Sequence, residues 1–168
     1  MSTVDGIKRA LSNYATGVTV ITARDGRDLC GLTANSFTSV SLTPPLLLFC
    51  VGRARASYEV FRRAETFSIN VLSAAQKHLS ERFASSGKEK WLGIEYAEDE
   101  LGNAIFPGAA ASFSCRKRQI VDAADHMIVL GEVLDYREDR NDSPLVYCRS
   151  SYCLPVDLNR HASRCDMP

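Results

Sequence analysis

The stretch from residue 31 to residue 48 constrains the fold most, because it mixes polar and apolar side chains in an extended pattern. Uncharged polar residues recur along it, with no charged residue among them: Thr33, Asn35, Ser36, Thr38, Ser39 and Ser41. A buried polar group without a partner costs roughly 1–3 kcal/mol. A strand this rich in hydroxyls and amides therefore indicates contact with solvent or with a polar ligand.

Two prolines end that polar strand, and an apolar segment follows them. Pro44 and Pro45 interrupt strand pairing, because proline lacks a backbone N–H and restricts the residue before it. Residues 46–51 are apolar throughout and predict a core strand. Further short strands separated by turns, with a few brief helices, favour a mainly β antiparallel barrel with flanking helices.

An amphipathic helix is predicted at the N-terminus. Ser2 or Thr3 can cap it, and Gly17 is expected to end it. Its apolar residues fall on one face at helical spacing: Val4, Ile7, Leu11 and Tyr14.

Length and charge limit the protein class. The chain of 168 residues predicts a single domain, 1–168, in which the tail 156–168 is flexible or wraps a partner subunit. Twenty basic residues balance twenty acidic ones, which argues against nucleic-acid binding. We find no leader pattern and no apolar run near the ~18 residues of a membrane span, so we expect a cytoplasmic protein without a membrane partner.

The six cysteines predict neither disulfides nor a metal site. No two of them form a C-x-x-C pair, and four lie in apolar strand-like contexts. We expect reduced, mostly buried thiols, with Cys165 in the polar tail the most reactive.

Four segments of the chain carry a shared pattern in the same order: residues 15–22, 31–48, 67–72, and 122–126 together with 131–133. Together they resemble the short flavin reductases, which are the reductase components of two-component flavin-dependent monooxygenases. The resemblance runs from about Ile7 to Tyr152. It implies an FMN-binding split β-barrel that forms a homodimer, with its cleft at the two-fold interface.

The same resemblance implies an NAD(P)H:flavin oxidoreductase that reduces FMN or FAD and supplies reduced flavin to a partner monooxygenase. The sequence has neither a G-x-G-x-x-G after a strand nor a P-loop, so a nicotinamide must bind without them. The family stacks the nicotinamide on the flavin in one cleft. Hydride transfer then needs mainly orientation from the protein.

By resemblance, the flavin contacts fall on three parts of the chain. Those expected along the isoalloxazine and ribityl chain, with the wall that continues from them, are Thr33, Ala34, Asn35, Ser36, Ser39, Val40 and Ser41. Cys50, Val51 and Ser57 are expected to face the same cleft, with Ser57 at the phosphate. Lys88 and Lys90 are candidate anion partners, although a plain exposed loop anchored by Trp91 explains them equally well.

His126 is the candidate catalytic residue, placed by resemblance on the nicotinamide side together with Asp125. Ala124 stands where the family usually has glycine. Either the backbone there has positive φ and alanine is strained, or glycine only makes room for the ligand. A purely structural histidine paired with Asp122 or Asp125 is the alternative.

Tyr152 follows a last core strand, 145–148, and is expected either to border the flavin or to plug the barrel end. The choice between FMN and FAD stays open. So does NADH against NADPH, because Arg53, Arg55 and Arg116 are all eligible for a 2′-phosphate. Two rival functions remain: an FMN-binding storage or sensor module without turnover, and a split-barrel oxidoreductase with another substrate.

Overall fold

A seven-stranded antiparallel sheet forms the body of the protein. The structure is a computed structural model and describes residues 3–85, 89–139 and 142–158. In spatial order, the strands of this sheet are β3 (Asp28–Ala34), β2 (Thr19–Asp25), β6 (Thr66–Val71), β9 (Ala111–Ala123), β10 (His126–Glu138), β5 (Pro45–Gly52) and β4 (Thr38–Leu42), numbered by their order in the chain. The mainly β, antiparallel prediction is confirmed.

Short strands and helices cover the ends of this sheet. They are α1 (Thr3–Leu11), β1 (Thr16–Gly17), α2 (Tyr58–Arg63), a 3-10 turn (Ala74–Gln76), α3 (Lys77–Ala84), β7 (Ala97–Glu98), β8 (Ala104–Ile105), β11 (Val146–Cys148) and β12 (Ser151–Cys153). Strands β1, β11 and β12 form a separate three-stranded sheet, and β7 pairs with β8. No described helix combines the length and apolar character that a membrane crossing requires.

The main core lies where β5, β6 and α2 meet. The ring of Phe49 packs edge-on against Phe61 and Phe67, with centroids 5.5 and 5.0 Å apart. Gly131 on β10 faces Phe67, and any side chain at position 131 would collide with that ring. The pairing of β10 with β9 shifts register between Leu130 and Gly131, next to this close approach.

A second core packs α3 against β2. The ring of Phe83 lies edge-on to Trp91 at 4.8 Å and contacts Phe106 at 5.5 Å. Gly31 on β3 faces the same ring: a Cβ there would lie 2.7 Å from Phe83 and 3.2 Å from Trp91. Helix α3 therefore sits close to β3, and this closeness shapes the recesses described below.

The N-terminal helix ends earlier than the sequence predicts. Helix α1 stops at Leu11, where Ser12 Oγ and Asn13 Nδ2 donate to the carbonyl of Arg9 at 2.7 and 3.1 Å. These side-chain bonds compete with continued helix. Gly17 instead lies in β1, opposite Val146, so the prediction that it ends the helix is wrong.

The apolar face of α1 is largely exposed in the described part of the chain. Its exposed fractions are 57% for Val4, 54% for Ile7 and 67% for Leu11, and Tyr14 just beyond it is 77% exposed. Near the other end of the chain, residues 156–158 are exposed, and residues 159–168 of the predicted tail lie outside the described residues.

Candidate functional site

Two adjoining recesses open where β3 ends beside α3 and the 53–57 loop. The cationic recess, of about 290 Å³, is lined by Leu32, Thr33, Ala54, Arg55, Ala56, Ser57, Phe83, Ser85 and Lys90. The tyrosine recess, of about 310 Å³, is lined by Val18, Thr33, Asn35, Arg55, Ser80, Ala84, Tyr147 and Tyr152. Thr33 and Arg55 line both recesses, so the two are adjacent and are together termed the cleft.

Positive charge and hydroxyls characterise the cationic recess. Lys90 Nζ donates to the carbonyl of Phe83 at 3.0 Å, and Arg55 Nη1 donates to that of Ala84 at 3.2 Å. Partial burial, and then the nearby charge of Arg55, lower the pKa of Lys90. Among the described residues, none that lines this recess is acidic. The recess therefore favours an anion, which would relieve the repulsion between the two cations.

Hydrogen bonds between neighbouring elements organise the tyrosine recess. Thr33 Oγ1 donates to the carbonyl of Ser80 at 2.6 Å, which joins β3 to α3. The hydroxyls of Ser80 and Tyr152 lie 2.8 Å apart. Tyr152 in turn packs edge-on against Tyr147, with centroids 5.3 Å apart. The result is an aromatic wall beside neutral polar groups, which suits a planar ring with a polar edge.

Ala124 and Asp125 form the two-residue turn between β9 and β10, and His126 is the first residue of β10. Ala123 pairs with His126 across the turn, and His126 also pairs with Gly52 at the end of β5. His126 Nδ1 donates to Asp125 Oδ1 at 2.9 Å, and this bond lowers the pKa of Asp125. The His126 side chain is 49% exposed, so it is available to a ligand.

Ala124, in that turn, has a φ of +52°. Of the two explanations that the sequence left open for the missing glycine, backbone strain is therefore the one that applies.

Arg53 fastens this turn to the end of β5. Its backbone N–H donates to the carbonyl of Asp125 at 2.9 Å, and its Nε donates to that of Ala124 at 3.0 Å. Its Nη2 pairs with Asp122 Oδ1 at 2.5 Å. The guanidinium of Arg53 is thus already engaged by protein groups, whereas that of Arg55 faces both recesses.

Five of the predicted flavin contacts lie together in the two recesses: Thr33, Asn35, Ser57, Lys90 and Tyr152. Ser36 and Cys50 line neither recess and contact each other, since the Cys50 N–H donates to Ser36 Oγ at 3.0 Å. Ser57 holds the position before α2, but its side chain makes no capping bond there.

Three predicted contacts, Ser39, Val40 and Ser41, lie on β4 at the sheet edge, outside both recesses. Ser41 Oγ accepts a bond from the N–H of Thr43 at 3.2 Å. Asp125 and His126 line neither recess. His126 lies near Arg55, since a Cβ on Gly52 would lie 3.4 Å from His126 Nε2 and 3.8 Å from Arg55 Cγ.

The prediction that Val51 faces the cleft is wrong for its side chain. Val51 is 1% exposed and packs in the main core. Neighbouring side chains of a strand point to opposite faces, so Cys50 and Val51 cannot both face the cleft. Ala34 is 8% exposed and packs in the same core, so only its backbone remains for a ligand. Lys88 lies outside the described residues.

Arg55, Ser80, Ser85 and Tyr147 line the cleft and were not predicted as flavin contacts. Arg55 had a signal, since it is a cation directly after a core strand, but it was considered only for a 2′-phosphate. Ser80 and Tyr147 come close only through the pairing of distant segments, which no local pattern shows. No metal-binding group of three or more His, Cys, Asp or Glu residues occurs within the described ranges.

Two of the described cysteines are protected by burial. It raises the pKa of Cys30, on β3, from 9.0 to about 12, and that of Cys115, on β9, also to about 12. Cys153 is exposed. Cys165, the predicted reactive thiol, lies outside the described residues.

Comparison with known proteins agrees with this architecture. The family profile described as "Flavin reductase like domain" matches residues 11–154. A "Probable flavin reductase" of Rhizobium meliloti (strain 1021) is 41% identical over 151 residues, which are 89% of this chain and 48% of that protein. The chain thus spans about half the length of that relative.

Two further proteins are similar to this chain over most of its length. The "Flavin-dependent monooxygenase, reductase subunit HsaB" of Rhodococcus jostii (strain RHA1) is 34% identical over 86% of this chain and 74% of its own length. The structure of Streptomyces globisporus C-1027 NADH:FAD oxidoreductase SgcE6, in complex with NAD and FAD fragments, superposes with a TM-score of 0.88 at 30% identity, covering 93% of this chain and 94% of that one. With the profile matching nearly the whole described sheet, the chain belongs to the flavin reductase-like domain family.

Proposed function

We propose that the protein is an NAD(P)H:flavin oxidoreductase that passes reduced flavin to a partner monooxygenase. One observation carries the proposal: the two adjacent recesses, which share Thr33 and Arg55, place cations on one side and tyrosine rings on the other. A flavin mononucleotide has the same polarity, with a phosphate at one end and a planar ring at the other. The kinship with flavin reductases supports the same choice.

At the cationic end, Lys90 and Arg55 would hold the flavin phosphate, with the hydroxyls of Ser57 and Ser85 beside them. Charge-assisted bonds to phosphate oxygens are the strong ones in such a site. The lowered pKa of Lys90 fits this assignment, since a site built for an anion holds cations close together. FMN and FAD both carry the required phosphate.

At the other end, Tyr147 and Tyr152 would border the ring system, and the amide of Asn35 would meet its polar edge. A flavin held there would supply the redox chemistry with the reduced nicotinamide. The chain itself orients the two rings and limits the access of water.

We assign His126 to the nicotinamide side of the cleft. Its Nδ1 is held by Asp125, which fixes the orientation of the ring and leaves the half-exposed opposite edge for a ligand. We propose NADH as the donor. Arg53, one of the three arginines eligible for a 2′-phosphate, already pairs with Asp122, and the structural relative SgcE6 is described as an NADH:FAD oxidoreductase; both support this choice.

A homodimer is part of the proposal. The stripe of α1 formed by Val4, Ile7 and Leu11 is exposed although its residues are apolar, and burying it would stabilise an interface. The second copy of the chain is the partner that the family resemblance implies. The monooxygenase would need no lasting contact with the reductase, because reduced flavin can diffuse. We place the protein in the cytoplasm, where NADH is available.

The test is steady-state oxidation of NADH by the purified protein with FMN, FAD or riboflavin as acceptor. Arg55→Met should raise the KM for FMN by about tenfold and that for riboflavin by less than about twofold, because only FMN carries the phosphate. Arg62→Met is the matched control, since Arg62 is an exposed arginine of α2 that pairs only with Glu59. Absence of NADH oxidation with all three flavins would refute the proposed function.

A further inference from the structure

The turn that carries His126 adopts a backbone conformation that its sequence disfavours. Ala124 has a φ of +52°, a region in which any residue with a Cβ is strained and glycine is not. The chain keeps alanine at this position. Something outside the turn must therefore hold it in place, because a strained conformation persists only where the surroundings determine it.

Arg53 supplies that restraint through three separate contacts. Its backbone N–H and its Nε donate to the carbonyls of Asp125 and Ala124, the two central residues of the turn, at 2.9 and 3.0 Å. Its Nη2 pairs with Asp122, on the incoming strand, at 2.5 Å. The contacts involve both the turn itself and the strand that leads into it.

Arg53 is in turn tied to the body of the protein. Its guanidinium lies 5.7 Å from the ring centroid of Tyr58, and Tyr58 is buried in the main core. Its neighbour Gly52 pairs with His126 through the β5–β10 ladder. Arg53 thus links the strained turn to a rigid part of the fold.

The position of the His126 ring depends on this turn. Its Nδ1 is held by Asp125. Loss of the two Arg53 side-chain contacts, to Ala124 and Asp122, would let Ala124 relax toward a less strained turn, and the Asp125–His126 pair would move with it. The backbone bond from Arg53 to Asp125 remains in every variant.

We propose that Arg53 is a positioning residue for His126, required because Ala124 occupies a positive-φ position of the turn. The consequence for turnover rests on the proposed function, in which His126 meets the nicotinamide. The restraint on the turn does not depend on it. With glycine at position 124 the turn needs no restraint, so the two positions should be energetically coupled.

A double-mutant cycle tests this coupling with four full-length proteins: the parent chain, Arg53→Met, Ala124→Gly and the double variant. Methionine keeps a long stem beside Tyr58 and removes every donor of the guanidinium. Arg53→Lys should rescue only in part, because lysine can pair with Asp122 but cannot reproduce the bond from Nε to Ala124. Arg63→Met is the control, since Arg63 is a similarly exposed arginine whose partner, Asp25, lies outside the turn.

The first readout is amide hydrogen exchange across residues 122–127 in the protein without flavin, which requires no activity. We expect Arg53→Met to speed exchange about tenfold in the parent background and less than about threefold in the Ala124→Gly background. Arg63→Met should leave it unchanged. An equal effect of Arg53→Met in both backgrounds, or no effect in either, would overturn the restraint.

The second readout is the kinetics of NADH oxidation. Arg53→Met should raise the KM for NADH by about fivefold and leave the KM for flavin within about twofold, and Ala124→Gly should suppress the change. A rise in both constants alike would show general damage and overturn the positioning role. If exchange shows the coupling while even the parent chain oxidises no NADH, the restraint stands and the proposed function fails.

Discussion

The imidazole of His126 lies against the backbone of Gly52, where a Cβ would come within 3.4 Å of Nε2. A methyl group fits at that distance as an ordinary contact, but a branched side chain does not. Gly52 ends β5 and His126 begins β10, so the pairing of two core strands sets the backbone position of His126. The orientation of its ring depends in addition on Asp125 in the turn.

Substitutions at Gly52 should test whether the His126 ring needs the space beside this residue to bind NADH. We expect Gly52→Ala to keep the KM for NADH within about twofold, and Gly52→Val to raise it about tenfold by displacing the imidazole. Both variants should keep the parent KM for flavin. Steady-state kinetics measure both constants, and equal KM values for NADH in the two variants would show that the ring does not contact the nicotinamide.

Replacing Ser150 by glycine should stabilise the protein. Arg149 and Ser150 form the turn between β11 and β12 with φ values of +48° and +62°. Glycine at Ser150 should raise the free energy of unfolding by about 0.5 kcal/mol, because relief of strain exceeds the entropy that glycine loses on folding. Urea denaturation measures the difference. A lower free energy of unfolding would mean that the serine side chain stabilises the turn.

Binding of FMN should weaken as pH rises through the titration of Lys90. Burial and Arg55 lower the pKa of Lys90 in the free protein, and a bound phosphate would raise it. Affinity should therefore be highest below the lowered pKa and fall as pH increases between that pKa and the higher one of the complex. Isothermal titration calorimetry measures this slope.

Riboflavin and Lys90→Met are the controls for that experiment. Riboflavin has no phosphate, so its affinity should show no such slope, and the variant should lose the slope for FMN. The same slope for riboflavin, or for the variant with FMN, would place the phosphate away from Lys90.

The described thiols should differ sharply in reactivity. The pKa values of about 12 for Cys30 and Cys115 leave both thiols protonated at about pH 8, whereas the exposed Cys153 should be alkylated readily. Mass spectrometry after brief iodoacetamide treatment maps the modified sites. Rapid modification of Cys30 in the folded protein would contradict its burial.

The same two cysteines predict a loss of stability in alkaline solution. Their folded-state pKa values lie above 9.0, so the unfolded chain releases their protons first as pH rises. The free energy of unfolding should therefore fall as pH increases from about 9 to about 12. Replacing Cys115 by valine should reduce this pH dependence in urea titrations, and an unchanged dependence would assign it to other groups.

Disrupting the apolar face of α1 should dissociate the proposed homodimer. Ile7→Asp and Leu11→Asp each place a carboxylate on that face, which costs free energy only if the face is buried. We expect both variants to sediment as monomers. Arg9→Asp is the control on the same helix, because Arg9 is exposed on the face opposite the apolar stripe. A parent chain that sediments as a monomer would contradict the dimer itself.

The sequence predicts the strand pattern well and the cleft only in part. The apolar segments 46–51 and 145–148 were predicted as core strands and coincide with β5 and β11, because local hydrophobicity reflects burial. Strand periodicity argues against pairing Cys50 with Val51 in one cleft, since adjacent side chains of a strand face opposite ways. Tyr147 and Ser80 are brought to the cleft by long-range pairing, which no local pattern reports.

Backbone strain is the other feature that the sequence signals only in part, because it also depends on the φ angle. The missing glycine at Ala124 was visible, but its meaning depended on the φ angle, which the structure gives as +52°. Arg53 explains how the turn persists, through contacts between residues 53 and 122–125 that are distant in sequence. Likewise, Gly17 was predicted to end α1, but the helix stops at Leu11, where the side chains of Ser12 and Asn13 donate to the carbonyl of Arg9.

The most direct test of the proposed activity is an anaerobic titration of the protein with NADH, in the presence of one equivalent of FMN and then of FAD. We expect rapid bleaching of the flavin absorbance in the parent chain. With Arg55→Met, at the same flavin concentration, we expect bleaching to be slowed about tenfold. Flavin that binds and stays yellow after excess NADH would contradict the reductase assignment and favour a storage module or another electron donor.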